Sequence, residues 1–166
     1  MDDELIETIA ASMVMNGPGP LSNYPELGPF VYYIQCGSFL KIGTSINPEK
    51  RCDQLRRGGK ATRPSLWVGN PKLIAYVPGN VSRERELHRE FAATRDQGEW
   101  FLLDDALVEH VADEQNAQCL LEVQAHQQQY EQLTGSTAGL NIADTFRKHL
   151  SSKTRIDPEW IEAFAA

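Results

Sequence analysis

Residues 30–35 (Phe-Val-Tyr-Tyr-Ile-Gln) and 40–45 (Leu-Lys-Ile-Gly-Thr-Ser) are two β-rich runs joined by a short connection that holds Gly37 and Ser38. A connection this short admits only an antiparallel hairpin, because a parallel pair needs a crossover of a dozen residues or more. Glycine supplies the positive φ that the turn demands. With the turn centred between Gly37 and Ser38, Tyr32 faces Gly43 and Ile34 faces Lys41, and strand alternation then puts Tyr32 and Lys41 on one face. A glycine opposite Tyr32 is expected to leave the space over the phenol open to something other than a side chain.

The rest of the chain is arranged around this hairpin. Leu5, Ile6, Ile9, Ala10, Met13 and Val14 recur at helical spacing until Asn16-Gly17-Pro18-Gly19-Pro20, which predicts an N-terminal amphipathic helix and a loop. Asn47-Pro48-Glu49 is a helix start: an N-cap, a proline whose missing N–H costs nothing there, and an acid in the first turn. Residues 71–77 read as a third strand and 82–93 as a second helix, with Leu87 and Phe91 on one face. Gly98 precedes a short apolar run, Trp100 to Leu103, that fits a strand or a packed loop. A long helix is predicted over 105–130, another over 142–150, and Asp157-Pro158-Glu159 announces a last one carrying Trp160, Ile161 and Phe164. The order predicts an α+β fold: a small three-stranded antiparallel sheet flanked by helices, with additional N- and C-terminal helices. The expected divisions are 1–21, 22–103 and 104–166.

Charge is unevenly spread. The net charge of the chain is −7, yet residues 30–105 carry 12 Lys or Arg against 9 Asp or Glu, so the flanks hold a net −10. A mildly basic middle between acidic ends is compatible with DNA contact through the middle alone. Cys36, Cys52 and Cys119 are odd in number and show no Cys-x-x-Cys spacing, so they read as reduced thiols and not as a zinc site. No apolar run approaches the roughly 18 to 20 residues of a membrane span, and the first residues are acidic where a secretory signal is basic. The expectation is a soluble, cytoplasmic protein with no membrane partner.

Phe30-Val31-Tyr32, then Lys41-Ile42-Gly43, then Arg51, resembles the GIY-YIG nuclease superfamily. The resemblance is to the branch common in phage genomes, in which Lys-Ile-Gly stands for Tyr-Ile-Gly. That branch also carries a glutamate followed four residues on by histidine, then Phe, Arg and Gly-Glu-Trp-Phe. These are matched here by Glu84, His88, Phe91, Arg95 and the run from Gly98 to Phe101. The match covers residues 30–103, and Phe30 and Lys41 depart from the motif that gives the superfamily its name. The resemblance implies hydrolysis of a DNA phosphodiester with a divalent metal, Mg²⁺ or Mn²⁺.

On that basis each residue acquires an expected role. Cleavage needs a deprotonated water, stabilisation of the developing oxyanion charge and help for the leaving 3′-oxygen. Glu84 is the matched carboxylate that would hold the metal, and a single carboxylate completed by water and phosphate oxygens suits Mg²⁺. Arg51 is the expected phosphate clamp, since a guanidinium fork matches two phosphate oxygens. Tyr32 is the candidate general base, with Lys41 on the same face expected to favour its phenolate. His88 lies one helical turn beyond Glu84 and is left with three roles: binding phosphate, sharing proton transfer or orienting the glutamate.

Two other classes compete with an endonuclease. A catalytically inactive DNA-binding module would keep the basic middle without needing a lone carboxylate. A protein-interaction adaptor would act through the acidic helical flanks, which are in any case the expected contacts for a homodimer or a protein partner.

Overall fold

A computed structural model describes residues 2–58, 63, 64, 67 and 69–157 of the 166-residue chain. The last expected helix, with Trp160, Ile161 and Phe164, lies outside the described residues.

Helix α1 (Asp3–Asn16) leads through two 3₁₀ turns into strands β1 (Phe30–Cys36) and β2 (Phe39–Ser45). Helix α2 (Pro48–Arg56), strand β3 (Lys72–Pro78) and helix α3 (Val81–Glu90) follow, and then strand β4 (Trp100–Leu102). A 30-residue helix α4 (Asp105–Thr134) and helix α5 (Ile142–Ser151) complete the chain. The strands form one antiparallel sheet in the order β3-β1-β2-β4. The α+β class agrees with the sequence, but the sheet has four strands and not three. Trp100–Leu102 pairs with Phe39, Leu40 and Lys41 and adds the fourth.

The hairpin register is the expected one: Tyr32 pairs with Gly43 and Ile34 with Lys41, around a turn where Gly37 has φ 60°. Both helices that carry site residues are fixed by asparagine caps. Asn47 accepts from the Lys50 N–H at 2.9 Å, and Asn80 accepts from the Ser82 and Arg83 N–H groups at 3.0 and 3.2 Å. These bonds satisfy donors that a helix start leaves without partners.

Alternation along β1 divides the core between the two sheet faces. On one face Phe30, Tyr32 and Ile34 pack with Tyr76, Leu21 and the α2 residues Cys52 and Leu55. On the other, Val31, Tyr33 and Ile42 pack with Leu87 and Phe91 of the α3 segment and Leu107 and Val111 of α4. Helix α4 then crosses the outer edge of β3. There Gln118 Oε1 accepts from the Tyr76 N–H at 2.9 Å, and Gln115 Nε2 donates to the Ile74 carbonyl at 2.9 Å. Two side-chain amides thus stand where another strand's peptides would be, which settles edge groups that burial would otherwise leave unpaired.

One helical turn further on, Glu122 is fully buried. Its carboxylate accepts from Gln118 Nε2 at 2.8 Å, the Leu21 N–H at 3.2 Å, His149 and Lys153. Burial alone would raise this carboxyl, but the bonds from His149, Lys153 and Gln118 outweigh it and hold the group below its ordinary value. Among the described residues, no helix is long and apolar enough to cross a membrane.

Candidate functional site

The site is built where β2 ends. Gly43 presents one sheet face there and Thr44 the other, so groups from α2 and α3 reach it from opposite sides.

Tyr32 is 2% exposed and its ring lies across Gly43. A Cβ built on Gly43 would sit 2.5 Å from the phenol oxygen and 2.7 Å from Cζ. The expected open space over the phenol is therefore not there: the phenol itself fills it, and the glycine is required by that close approach. Arg51, early in α2, lies near enough to the Tyr32 hydroxyl to act on its titration, while its Nη1 donates to Gln54 Oε1 at 3.3 Å. Burial raises the Tyr32 phenol above its ordinary value of 10.0; the nearby Arg51 guanidinium pulls it back down, and Glu99 and Glu84 push it up.

Lys41 has another engagement. It is 2% exposed, ion-paired with Glu99, and lies over the Trp100 ring at 5.7 Å. The cation that lowers Tyr32 directly is Arg51, while Lys41 is paired with Glu99, a carboxylate that raises the phenol, so any effect of Lys41 on Tyr32 runs through that pair.

Glu84 stands half-buried on the first turn of α3, and its Oε2 accepts from Thr44 Oγ1 at 2.7 Å. This bond ties the carboxylate to the strand that carries Gly43. Thr44 is a site residue that sequence reasoning missed, although its place next to Gly43 in the motif was a usable signal. Among the described residues, no three His, Cys, Asp or Glu side chains gather to hold a metal ion. One half-buried carboxylate still fits Mg²⁺, which keeps most of its water and takes one or two protein ligands. It does not fit Zn²⁺, which takes three or four.

His88 is buried on the α3 face that meets the sheet. Its Nε2 is 2.9 Å from the Ile42 carbonyl and its Nδ1 is 3.4 Å from Arg95 Nη2. A carbonyl only accepts and a guanidinium only donates, so Nε2 carries the proton and Nδ1 receives. Both ring nitrogens are thereby used. His88 is thus a histidine hydrogen-bonded between helix and sheet, fastening α3 to β2 one turn beyond Glu84. Arg95 also donates to the Gly98 carbonyl at 2.7 Å, and the Glu99 carbonyl accepts from the Ile42 N–H at 3.1 Å. The matched residues from 84 to 101 thus brace β2.

Tyr32, Arg51, Glu84 and the Lys41–Glu99 pair converge on one end of a small antiparallel sheet, and the whole arrangement lies within a stretch that carries a family signature. Residues 29–116 match the model of the T5orf172 domain, more than half of the chain. The chain belongs to the T5orf172 domain family, which is associated with nuclease-like domains. No curated protein and no solved structure matches it.

Proposed function

We propose that the chain is a metal-dependent DNA endonuclease of the GIY-YIG type. The observation that carries this reading is the meeting of a buried phenol, a guanidinium and a carboxylate at the end of β2. A structural core has no need of this combination, and phosphodiester hydrolysis uses all three.

In this reading Tyr32 Oη takes the proton of the attacking water. The phenol is protonated at neutral pH, since burial raises it, and Arg51 offsets that cost by stabilising the phenolate. The remaining N–H groups of Arg51 face the scissile phosphate and hold its oxygens as negative charge develops. Glu84, oriented by Thr44, would hold the metal, with Mg²⁺ favoured and Mn²⁺ an acceptable substitute; bound there, the ion supplies positive charge to the leaving 3′-oxygen. Lys41 keeps Glu99 from adding its full charge beside the phenol.

The test is nicking of supercoiled plasmid with and without Mg²⁺. Wild type should nick only with the metal, and Glu84→Gln should lose at least about a thousandfold in rate with unchanged melting. A folded Glu84→Gln variant that nicks normally overturns the assignment. Salt-dependent retention of DNA by a wild-type protein that never nicks selects the inactive binding module instead.

A further inference from the structure

From Gln54 to Arg83 the chain runs through 30 residues that hold six Lys or Arg and no Asp or Glu, although acids outnumber these bases by 23 to 16 over the whole sequence. An acid-free run in an acidic chain carries charge that its own neighbours do not cancel. A polyanion is the partner that such charge fits.

Helix α2 shows where the charge is presented. Lys50 and Gln54 on the helix and Arg57 at its C-cap follow one another at i, i+4 and i+7, a single row along one side, and all three are exposed. Lys50 and Arg57 stand about 10 Å apart along the axis, the rise of about three nucleotides of one DNA strand. The carboxylates of the helix are engaged elsewhere: Asp53 pairs with Arg56 at 2.7 Å, and Glu49 accepts from the Tyr76 hydroxyl. Among the described residues, neither Lys50 nor Arg57 forms an ion pair. Arg51 joins this row to the end of β2, because its Nη1 bond to Gln54 sets the guanidinium between the row and Tyr32.

Arg63 extends the row past the helix. A Cβ built on Gly58 would lie 3.5 Å from Arg63 Nη2, so the guanidinium returns over the end of α2. It also lies over the Trp67 ring at 4.8 Å, and Trp67 meets the buried Trp100 edge-on at 5.9 Å. This stack positions an exposed cation that would otherwise sample many rotamers.

We propose that Lys50, Arg57 and Arg63 form a track for the sugar–phosphate backbone of duplex DNA, which leads the strand along α2 to Arg51. The identity of the polyanion rests on the endonuclease reading. The three residues are positioning residues: they hold phosphates away from the reacting atoms and carry no sequence information.

The experiment measures retention of a short duplex by the full chain from about 50 to 200 mM salt, where each phosphate contact contributes about −0.9 to the slope of log affinity against log salt. Lys50→Gln/Arg57→Gln should flatten the slope by about 1.8 and weaken binding at least about tenfold at 0.1 M salt, and Arg63→Gln should flatten it by about 0.9. Nicking at saturating plasmid should stay within about threefold of wild type while KM rises. Arg147→Gln/Lys148→Gln on α5 removes the same charge from a pair that Asp144 already engages, and should leave the slope unchanged. Melting curves establish that each variant folds; if the double variant does not, Arg57→Gln alone is read for a change of about 0.9. A folded double variant with the wild-type slope overturns the track, and so does an equal change in the α5 variant, which makes the effect one of overall charge. Wild type that holds DNA without nicking defeats the endonuclease reading while the slopes still decide the track. Normal nicking with unchanged slopes defeats the track alone, and wild type that retains no DNA defeats both.

Discussion

The contact between Tyr32 and Gly43 makes the glycine codon part of the proposed site. A methyl group at position 43 cannot coexist with the phenol where it lies, given the 2.5 Å approach. Gly43→Ala should therefore cost about 1 to 3 kcal/mol in stability from overpacking, and cleavage should fall at least about a hundredfold because the phenol must move. Thermal melts and plasmid nicking measure the two effects. Tyr32→Phe removes only the hydroxyl and should abolish nicking at every pH while keeping the fold. Arg51→Met should act differently. Loss of the cation raises the phenol further, so the rising limb of the pH–rate profile moves to higher pH, and KM for DNA rises as the phosphate contact is lost. Lys41→Met should shift the limb in the same direction by releasing the charge of Glu99, but with little change in KM. A limb that stays in place in both variants removes Tyr32 from the role of base. Sequence reading reached Tyr32, Arg51 and Glu84 through motif order and reached the register of the hairpin through the position of its turn. It did not reach the ion pair of Lys41, because Glu99 is 58 residues away, and facing positions on a strand pair say nothing of a turn that comes from beyond them.

Element types were legible wherever apolar periodicity and capping agreed, as in α1, α2 and α3, whose Asn47 and Asn80 caps are visible in the sequence. The fourth strand was not, because three residues are too few to show alternation. Helix α4 is the more instructive case. Leu120 is one of its large apolar residues, yet Leu120 is half exposed, while Gln115, Gln118, Glu122 and His126 are buried. A helix that crosses a strand edge must present hydrogen bonds where a helix on a sheet face presents methyl groups, and hydropathy patterns count such residues as surface. Glu122 gives this element a pH signature. Its folded carboxyl lies below the ordinary value, so its contribution is complete above about pH 4.5 and is lost as pH falls through the lowered folded value. Glu122→Gln, which leaves Lys153 and His149 without their anion, should cost about 3 kcal/mol at pH 7. Its melting temperature should also fall less steeply than that of wild type on acidification. Parallel scans from pH 7 to pH 3 measure both, and equal slopes would remove Glu122 from the acid response.

At the scale of the molecule, the C-terminal region is bound into the fold. Lys153 and His149 hydrogen-bond to the Glu122 carboxylate, Gln115 holds the Thr154 carbonyl at 2.6 Å, and Gln35 Oε1 accepts from the Asp157 N–H at 3.0 Å. A chain cut to residues 22–130 leaves Glu122 without either partner. It should melt well below the full chain, the deficit shrinking in Glu122→Gln; an unchanged melting temperature would make the tail dispensable. Whether the acidic flanks also mediate pairing of two copies is read from the mass of the full chain in solution, where a monomer would leave them an intramolecular role only. The two glutamines that close the β3 edge also bear on how the protein is made. The hairpin and β3 are complete when residue 78 has been added, but Gln118 follows about 40 residues later. At roughly 5 to 20 residues per second, the Ile74 carbonyl and Tyr76 amide wait about 2 to 8 seconds for their partners. During each round of synthesis the nascent chain therefore carries an open template for strand addition, and neighbouring chains on one message are the copies best placed to occupy it.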